Sequence, residues 1–225
     1  MLHDLAPQGR LRAAINFGNV VLAQQDERTG EARGVSVALA RELGRHLGVP
    51  VELVTYDAAG KVFEGLKTND WDIAFLAIDP KRAEEIEFTT PYVVIEATYM
   101  VREESPLQST NDVDREGHRI AIGQNSAYDL YLTRTIKHAQ IVRRPTGGEA
   151  LDMFLNEGLE AAAGVKEALQ QFAAKHPGLR VMAGRFMAIE QAMGTPKARQ
   201  AGAGYLQAFI AQARASGFVA RELAR

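Results

Sequence analysis

Residues Trp71–Tyr92 read WDIAFLAIDPKRAEEIEFTTPY, and the remainder of the chain is best read outward from this stretch. Ile73 to Ile78 form an unbroken apolar run with the length and composition of a buried strand. Asp79-Pro80 then gives the start signal of a helix, an N-cap carboxylate followed by proline at the first helical position. This predicts Arg82 as the third residue of that helix, at the carboxyl end of a strand. In open α/β sheets small ligands bind at that edge, and a fixed guanidinium there suits bidentate capture of a carboxylate. The ordinary alternative is a capped surface turn whose arginine pairs with Glu85.

Upstream, Leu11 to Asn16 reads as a first strand and Phe17 to Gly34 as a polar loop. Val35, Leu39, Leu43 and Leu47 recur every four residues, the apolar stripe of one helix, which Gly48 and Pro50 end. Val51 to Tyr56 is a second strand, and Val62, Phe63 and Leu66 mark a short helix. Up to Tyr92 the order is β-α-β-α-β, which implies a parallel sheet covered by helices.

Downstream, Val93 to Val101 is strand-like, and a second unit of the same grammar follows. Arg119 to Ile122 is a strand, and Ser126 opens a helix with Asp129 three residues on. Ile141-Val142 marks a strand, and Thr146 with Glu149 is a full capping box before a helix that stops at Gly158. A strand over 160–164, a helix over 165–174 and a strand over 179–182 complete the unit. Phe186 to Met193 is strand-like, and Thr195-Pro196 again reads as an N-cap with proline at the first helical position. The helix after it carries Leu206, Phe209 and Ile210 on one face, and Gly217 breaks it.

The composition narrows the function. Twenty-six basic against 28 acidic residues leave a net charge of −2, without the basic excess of a nucleic-acid binder. The absence of cysteine excludes disulfides, thiolate ligands and cysteine nucleophiles. The five histidines are scattered without ligand-like pairing, so neither a metal nor another cofactor is expected. No apolar run approaches the roughly 18 residues of a membrane span. The first fifteen residues lack a basic head followed by an apolar core, so the chain either stays in the cytoplasm or has had a leader removed.

Several segments together resemble the family 3 extracellular solute-binding proteins, the polar-amino-acid receptors of ABC importers. They are LRAAIN from Leu11, GVSVALARELGRHLGVPVELV from Gly34, GLKTNDWDIAF from Gly65, DPKRAEEIEFTTPY from Asp79, EATYMVREESPL from Glu96 and HRIAIGQNSAYD from His118. The resemblance implies an α/β fold of the two-lobe type II periplasmic-binding-protein class. Each lobe would be a mostly parallel sheet flanked by helices. Lobe one would span 1–94 plus 188–225 and lobe two 95–187, joined by two hinge segments. It also implies a non-catalytic, monomeric, periplasmic receptor that closes on a small carboxylate-bearing or amino-acid-like solute in the interlobe cleft. Such a receptor would serve ABC-transporter membrane subunits or a sensor, and would not bind nucleic acid.

By the same resemblance Arg82 matches the family's carboxylate-binding arginine, and Asn125, Ser126 and Ala127 match its lobe-two anion loop. Free N–H groups, a helix dipole and the serine hydroxyl would all favour an anion there. Other positions depart from the family. Val165 stands where an aspartate usually holds the ligand's ammonium, and Asp79 where a threonine is usual. Phe75 and Ala77 replace small polar contacts, and Asn19, with Asn16 nearby, replaces an aromatic platform. Asp79 is read either as a plain N-cap or as the source of the missing negative charge. These departures predict weak or absent binding of ordinary L-amino acids. As the third residue of a helix at a cleft edge, Arg82 should support little packing. The alternative function is an enzyme similar to cyclohexadienyl dehydratases, whose lobe-two glutamate aligns nearest Ala168. Glu167 is one residue off, about 100° round a helix.

Overall fold

The computed structural model describes residues 1–225, which form two compact units. The first comprises Met1–Val94 and Glu190–Arg225, and the second is the continuous segment Ile95–Ile189. The chain enters the first unit through α1 (Leu2–Leu5), β1 (Leu11–Asn16), a small hairpin of β2 (Gln24–Gln25) and β3 (Ala32–Arg33), and α2 (Val35–Leu47). It continues through β4 (Val51–Tyr56), α3 (Ala59–Gly65), β5 (Ile73–Ala77), a 3-10 turn at Arg82–Glu84 and β6 (Ile86–Phe88). The second unit takes over within β7 (Val93–Arg102). It contains β8 (Arg119–Gly123), α4 (Ala127–Thr135), β9 (Gln140–Arg144), α5 (Gly147–Glu157), β10 (Ala161–Val165), α6 (Lys166–Lys175) and β11 (Leu179–Val181). β12 (Met187–Pro196) carries the chain back to the first unit, which ends with α7 (Gln200–Ala215) and α8 (Phe218–Leu223).

In the first unit the strand order is β4-β1-β5-β12, with β6 also on β12. β4, β1 and β5 run parallel, and β12 lies antiparallel to β5 with Gln191 opposite Ala77. All five residues of β5 are buried, as a strand covered on both faces requires. Its side chains alternate between two apolar clusters. Ile73 and Phe75 join α2 and α7, whereas Ala74 and Leu76 join Val62, Phe63 and Trp71. Val35, Leu39 and Leu43 of the stripe on α2 are buried as their spacing predicts and Leu47 is partly buried, and Gly48 ends the helix at φ +68°. Trp71 donates its indole N–H to the Val62 carbonyl at 2.9 Å, so its polar atom is satisfied inside the core.

Two predicted helix starts are not helix starts. Asp79-Pro80 opens only the three-residue 3-10 turn, because Ile86–Phe88 is drawn at once into pairing with β12, Phe88 opposite Gly194 and Ile86 opposite Pro196. Thr195 and Pro196 themselves belong to β12, and α7 begins only at Gln200. The Thr195 hydroxyl donates to the Asp72 carbonyl at 2.9 Å, an interior bond in place of the expected cap.

At the amino end of β5 lies a buried charge cluster. The Asp72 carboxylate, fully shielded from solvent, accepts from Arg12 N (3.0 Å), Nε (3.1 Å) and Nη2 (2.9 Å) and from Arg199 Nη1 (2.8 Å). Burial pushes the Asp72 carboxyl up, but the bonds from Arg12 and Arg199 outweigh it and hold the group below the usual carboxylate value. Arg199 also donates to the Asp4 carbonyl, and Asp4 accepts from Gly202 N, so one cluster fastens α1 and α7 to the sheet.

In the second unit the order is β7-β10-β8-β9, with β11 on the other side of β7. β10, β8 and β9 are parallel, and β7 is antiparallel to β10. The small residues of β10 let helices approach closely: a side chain at Gly164 would meet Leu169 of α6 at 2.9 Å. The Thr146 capping box is present in full, and α5 ends at Gly158 with φ +69°.

Candidate ligand-binding site

β1 and β5 are adjacent and parallel, so the segments that follow them leave the first unit's sheet at the same edge. After β5, Ile78 N–H still pairs with the Glu190 carbonyl, and the chain then turns. The Asp79 carboxylate accepts Lys81 N–H at 2.9 Å, and its carbonyl accepts Ala83 N–H. Asp79 therefore shapes a tight turn around Pro80 instead of capping a long helix.

This turn aims Arg82 back over the strand end, where Nη1 donates to the Ala77 carbonyl at 3.0 Å. Arg82 is 1% exposed and among the largest fully buried side chains. It is therefore neither a solvated surface residue nor the lightly packed cleft-edge residue predicted above. Burial pushes its guanidinium down to about 10, against the opposing pull of the Asp79 charge, and it remains cationic at neutral pH. A buried charge demands anionic company, and Asp79, itself 1% exposed, supplies one negative group from three residues away.

The other first-unit candidates have structural duties. Phe75 is 3% exposed and meets Tyr92 edge-to-face at 6.0 Å, which makes its ring part of the core. Ala77 contributes through its carbonyl, which holds Arg82. The Asn16 side chain accepts Gly18 N–H at 2.8 Å, and that of Asn19 accepts Val21 N–H at 3.3 Å. Both asparagines thus fold the loop after β1, and Asn19 is buried.

In the second unit β8 and β10 are likewise adjacent and parallel. Asn125 follows β8 in the left-handed region at φ +57°, a conformation asparagine tolerates better than most residues. Ser126 is the N-cap of α4, its hydroxyl accepting Asp129 N–H at 3.1 Å. Asp129 reciprocates one residue earlier than a capping box would, accepting Asn125 N–H at 2.7 Å. Arg143 Nε at 2.9 Å and the Thr133 hydroxyl at 3.2 Å fix that buried carboxylate. Ser126 N–H goes to the Gly123 carbonyl at 3.3 Å. The expectation of free N–H groups in this loop is thereby corrected at both residues: the protein uses them to hold its own turn.

The end of β10 and the first turn of α6 hold Val165 and Glu167, which the sequence reading marked only as departures from two family patterns. Val165 is the N-cap of α6 without a side-chain cap, and Lys166 pairs with Glu96, which Arg185 also contacts. Hydrogen bonding to Lys166, with the Lys166 and Arg185 charges, holds the Glu96 carboxyl below its usual value. Glu167 differs: its Oε2 is shut off from solvent and has no hydrogen-bond partner. Its place in the first turn after a parallel strand was the available signal, since that is the edge where ligands collect. No group of acidic or histidine side chains is arranged to hold a metal ion, and no helix is long and apolar enough to cross a membrane.

The ArgBP of T. maritima, as its P235GK mutant, shares this fold with a TM-score of 0.84 at 19% identity, covering 99% of this chain and 96% of that one. An ancestral amino-acid-binding protein, AncCDT-1, described as a precursor of cyclohexadienyl dehydratase, superposes with a TM-score of 0.81 at 19% identity, covering 98% and 96%. AbpA of Streptococcus pneumoniae, an amino acid ABC transporter substrate-binding protein bound to L-arginine, gives 0.83 at 18% identity, covering 97% and 94%. These likenesses establish the type II periplasmic-binding-protein fold. No curated protein matches the sequence significantly. Residues 20–224, nearly the whole chain, match one sequence family, and on that match the chain belongs to the bacterial extracellular solute-binding proteins, family 3.

Proposed function

We propose that this solute-binding protein takes a small carboxylate-bearing, amino-acid-like solute without chemical conversion, and that Arg82 takes the carboxylate. The observation that carries this reading is the placement of Arg82. It is a buried guanidinium at the carboxyl edge of β5, oriented by the Ala77 carbonyl, with Asp79 beside it as an opposite charge. A cation and an anion three residues apart match the two ends of a zwitterion. Apolar Val165 argues against the family's ordinary ammonium site, so common L-amino acids should bind more weakly than about 1 μM. The family context supports delivery of the solute to ABC-transporter membrane subunits outside the cytoplasm.

Mass spectrometry of small molecules released on denaturing the purified protein supplies the ligand, and calorimetry then compares parent, Arg82→Ala and Arg82→Lys. Each charge-assisted bond contributes about 1.5–3 kcal/mol, and loss of a desolvated charge partner costs about 2–5 kcal/mol. Affinity should fall on the order of 30- to 1,000-fold in Arg82→Ala, with little rescue by lysine, which lacks the planar fork. A denaturation curve on each variant separates lost binding from lost folding. An Arg82→Ala protein that is folded and binds within threefold of the parent refutes the assignment.

A second reading has its own support. The likeness to AncCDT-1 and the solvent-shielded oxygen of Glu167 are what a dehydratase acid on this scaffold would require. Consumption of prephenate or arogenate by the purified protein would establish it, and inert incubation excludes it.

A further inference from the structure

A cavity of about 540 Å³, whose lining includes none of Asp79, Arg82 or the residues of β5, opens in the first unit where the loop after β1, the first two turns of α2 and the end of α8 meet. Its size is within the range of small-molecule sites. Its walls divide by chemistry. Val20, Val21 and Leu223 supply an apolar side, and Leu223 is 38% exposed. Arg33 and Arg41 supply the polar side. Arg33 is held in place: its Nη2 donates to Gln24 Oε1 at 3.1 Å, and Gln24 Nε2 donates to the Val20 carbonyl at 2.9 Å. Glu222, the acid on the wall, is already paired with Arg225.

The start of α2 adds to the positive character. Gly34 is its N-cap and brings no side chain, the first turn contains no acidic residue, and one of its N–H groups, that of Ser36, goes to the Leu22 carbonyl at 3.1 Å. Glycine is required there: φ is +110°, and a Cβ would sit 2.5 Å from the Leu22 carbonyl oxygen. The helix dipole, one braced guanidinium and a second guanidinium thus share a concave space with one apolar side.

We propose that this cavity is a second ligand site, distinct from the Arg82 site, for a medium-chain organic anion. Its carboxylate would lie against Arg33 and Arg41 and its hydrocarbon part against Val20, Val21 and Leu223. The probe is octanoate, titrated calorimetrically into the full chain, with acetate and 1-octanol as single-feature controls. Octanoate should bind saturably with a dissociation constant on the order of 0.1–1 mM, at least about tenfold tighter than either control, since each control lacks one of the two recognised features. Arg33→Gln and Arg41→Gln should each weaken it by about tenfold, the effect of one lost charge-assisted contact. Both residues are exposed, so these variants should keep the parental melting temperature. Ala38→Phe, which fills the wall, should abolish octanoate binding. Arg82→Lys should leave it unchanged. Octanoate no tighter than acetate, binding within twofold of the parent in both glutamine variants, loss in Arg82→Lys, or association with anionic vesicles but not with free octanoate would each overturn the proposal.

Discussion

Replacing Asp72 by asparagine tests the charge cluster that holds the first unit together. Asparagine keeps the shape of the side chain but removes the charge between Arg12 and Arg199. It also turns an amide NH2 toward one of the four donors that Asp72 accepts. Removing one partner of a buried ion pair costs about 3–5 kcal/mol, because the remaining charges stay desolvated. The Arg12 side chain is only 9% exposed, whereas that of Arg199 is 19% exposed and keeps some water, which places the loss near the lower figure, about 3 kcal/mol. Against a typical total of about 5–15 kcal/mol, this is a large fraction. Guanidinium chloride unfolding at neutral pH should show the midpoint falling with the slope preserved. The pH dependence gives an independent check. Asp72 is held below its ordinary value of 3.8, so its stabilisation is fully present above that value and is lost as pH falls through the native one. The gap between parent and variant should therefore be flat above about pH 5 and close progressively in acid. A loss under about 1 kcal/mol, or a gap that does not close in acid, would refute the reasoning.

Other substitutions probe single features. Gly34→Ala forces a side chain into the left-handed region and against the Leu22 carbonyl, and should cost about 1–3 kcal/mol in thermal unfolding. Ser126→Ala removes the cap of α4 and should cost about 1 kcal/mol, read by the same melt. Glu167→Gln should leave the protein as stable as the parent or more so in the same melt, because an unpartnered buried carboxylate oxygen is relieved. A clear loss of stability would refute that reading of Glu167.

Where a pattern repeats, the sequence was legible. The four-residue stripe of α2, the apolar run of β5 and the capping box at Thr146 are local rules that the structure obeys. Asp79-Pro80 and Thr195-Pro196 misled for a shared reason. The same dipeptide serves a helix start, a tight turn or a strand end, and the pairing of β6 with β12 decides between them from more than a hundred residues away in the chain. The candidate site was legible in its location but less so in its contacts. That Arg82 follows β5 is local. Its burial depends on what packs around the turn, which periodicity does not encode. Asn16, Asn19 and Asn125 look like ligand donors in a sequence, yet each closes its own turn or has its N–H taken by one. Glu167 was seen only as one residue off a family position, and its shielding from solvent is set by packing that the sequence does not encode.

The division of the first unit into two stretches has a consequence for synthesis. The second unit is one uninterrupted segment and can close its sheet as soon as Ile189 has left the ribosome. The first unit emerges earlier but must wait, because the β12 partner of β5 and the α7 cover of its core are the last to be made. During that interval one edge of the apolar strand β5 is unpaired and Asp72 lacks Arg199. The order of completion therefore reverses the order of translation. Chains stopped short of Glu190 would carry one finished unit and one sticky half, the form in which this protein is most exposed to chaperones and to aggregation.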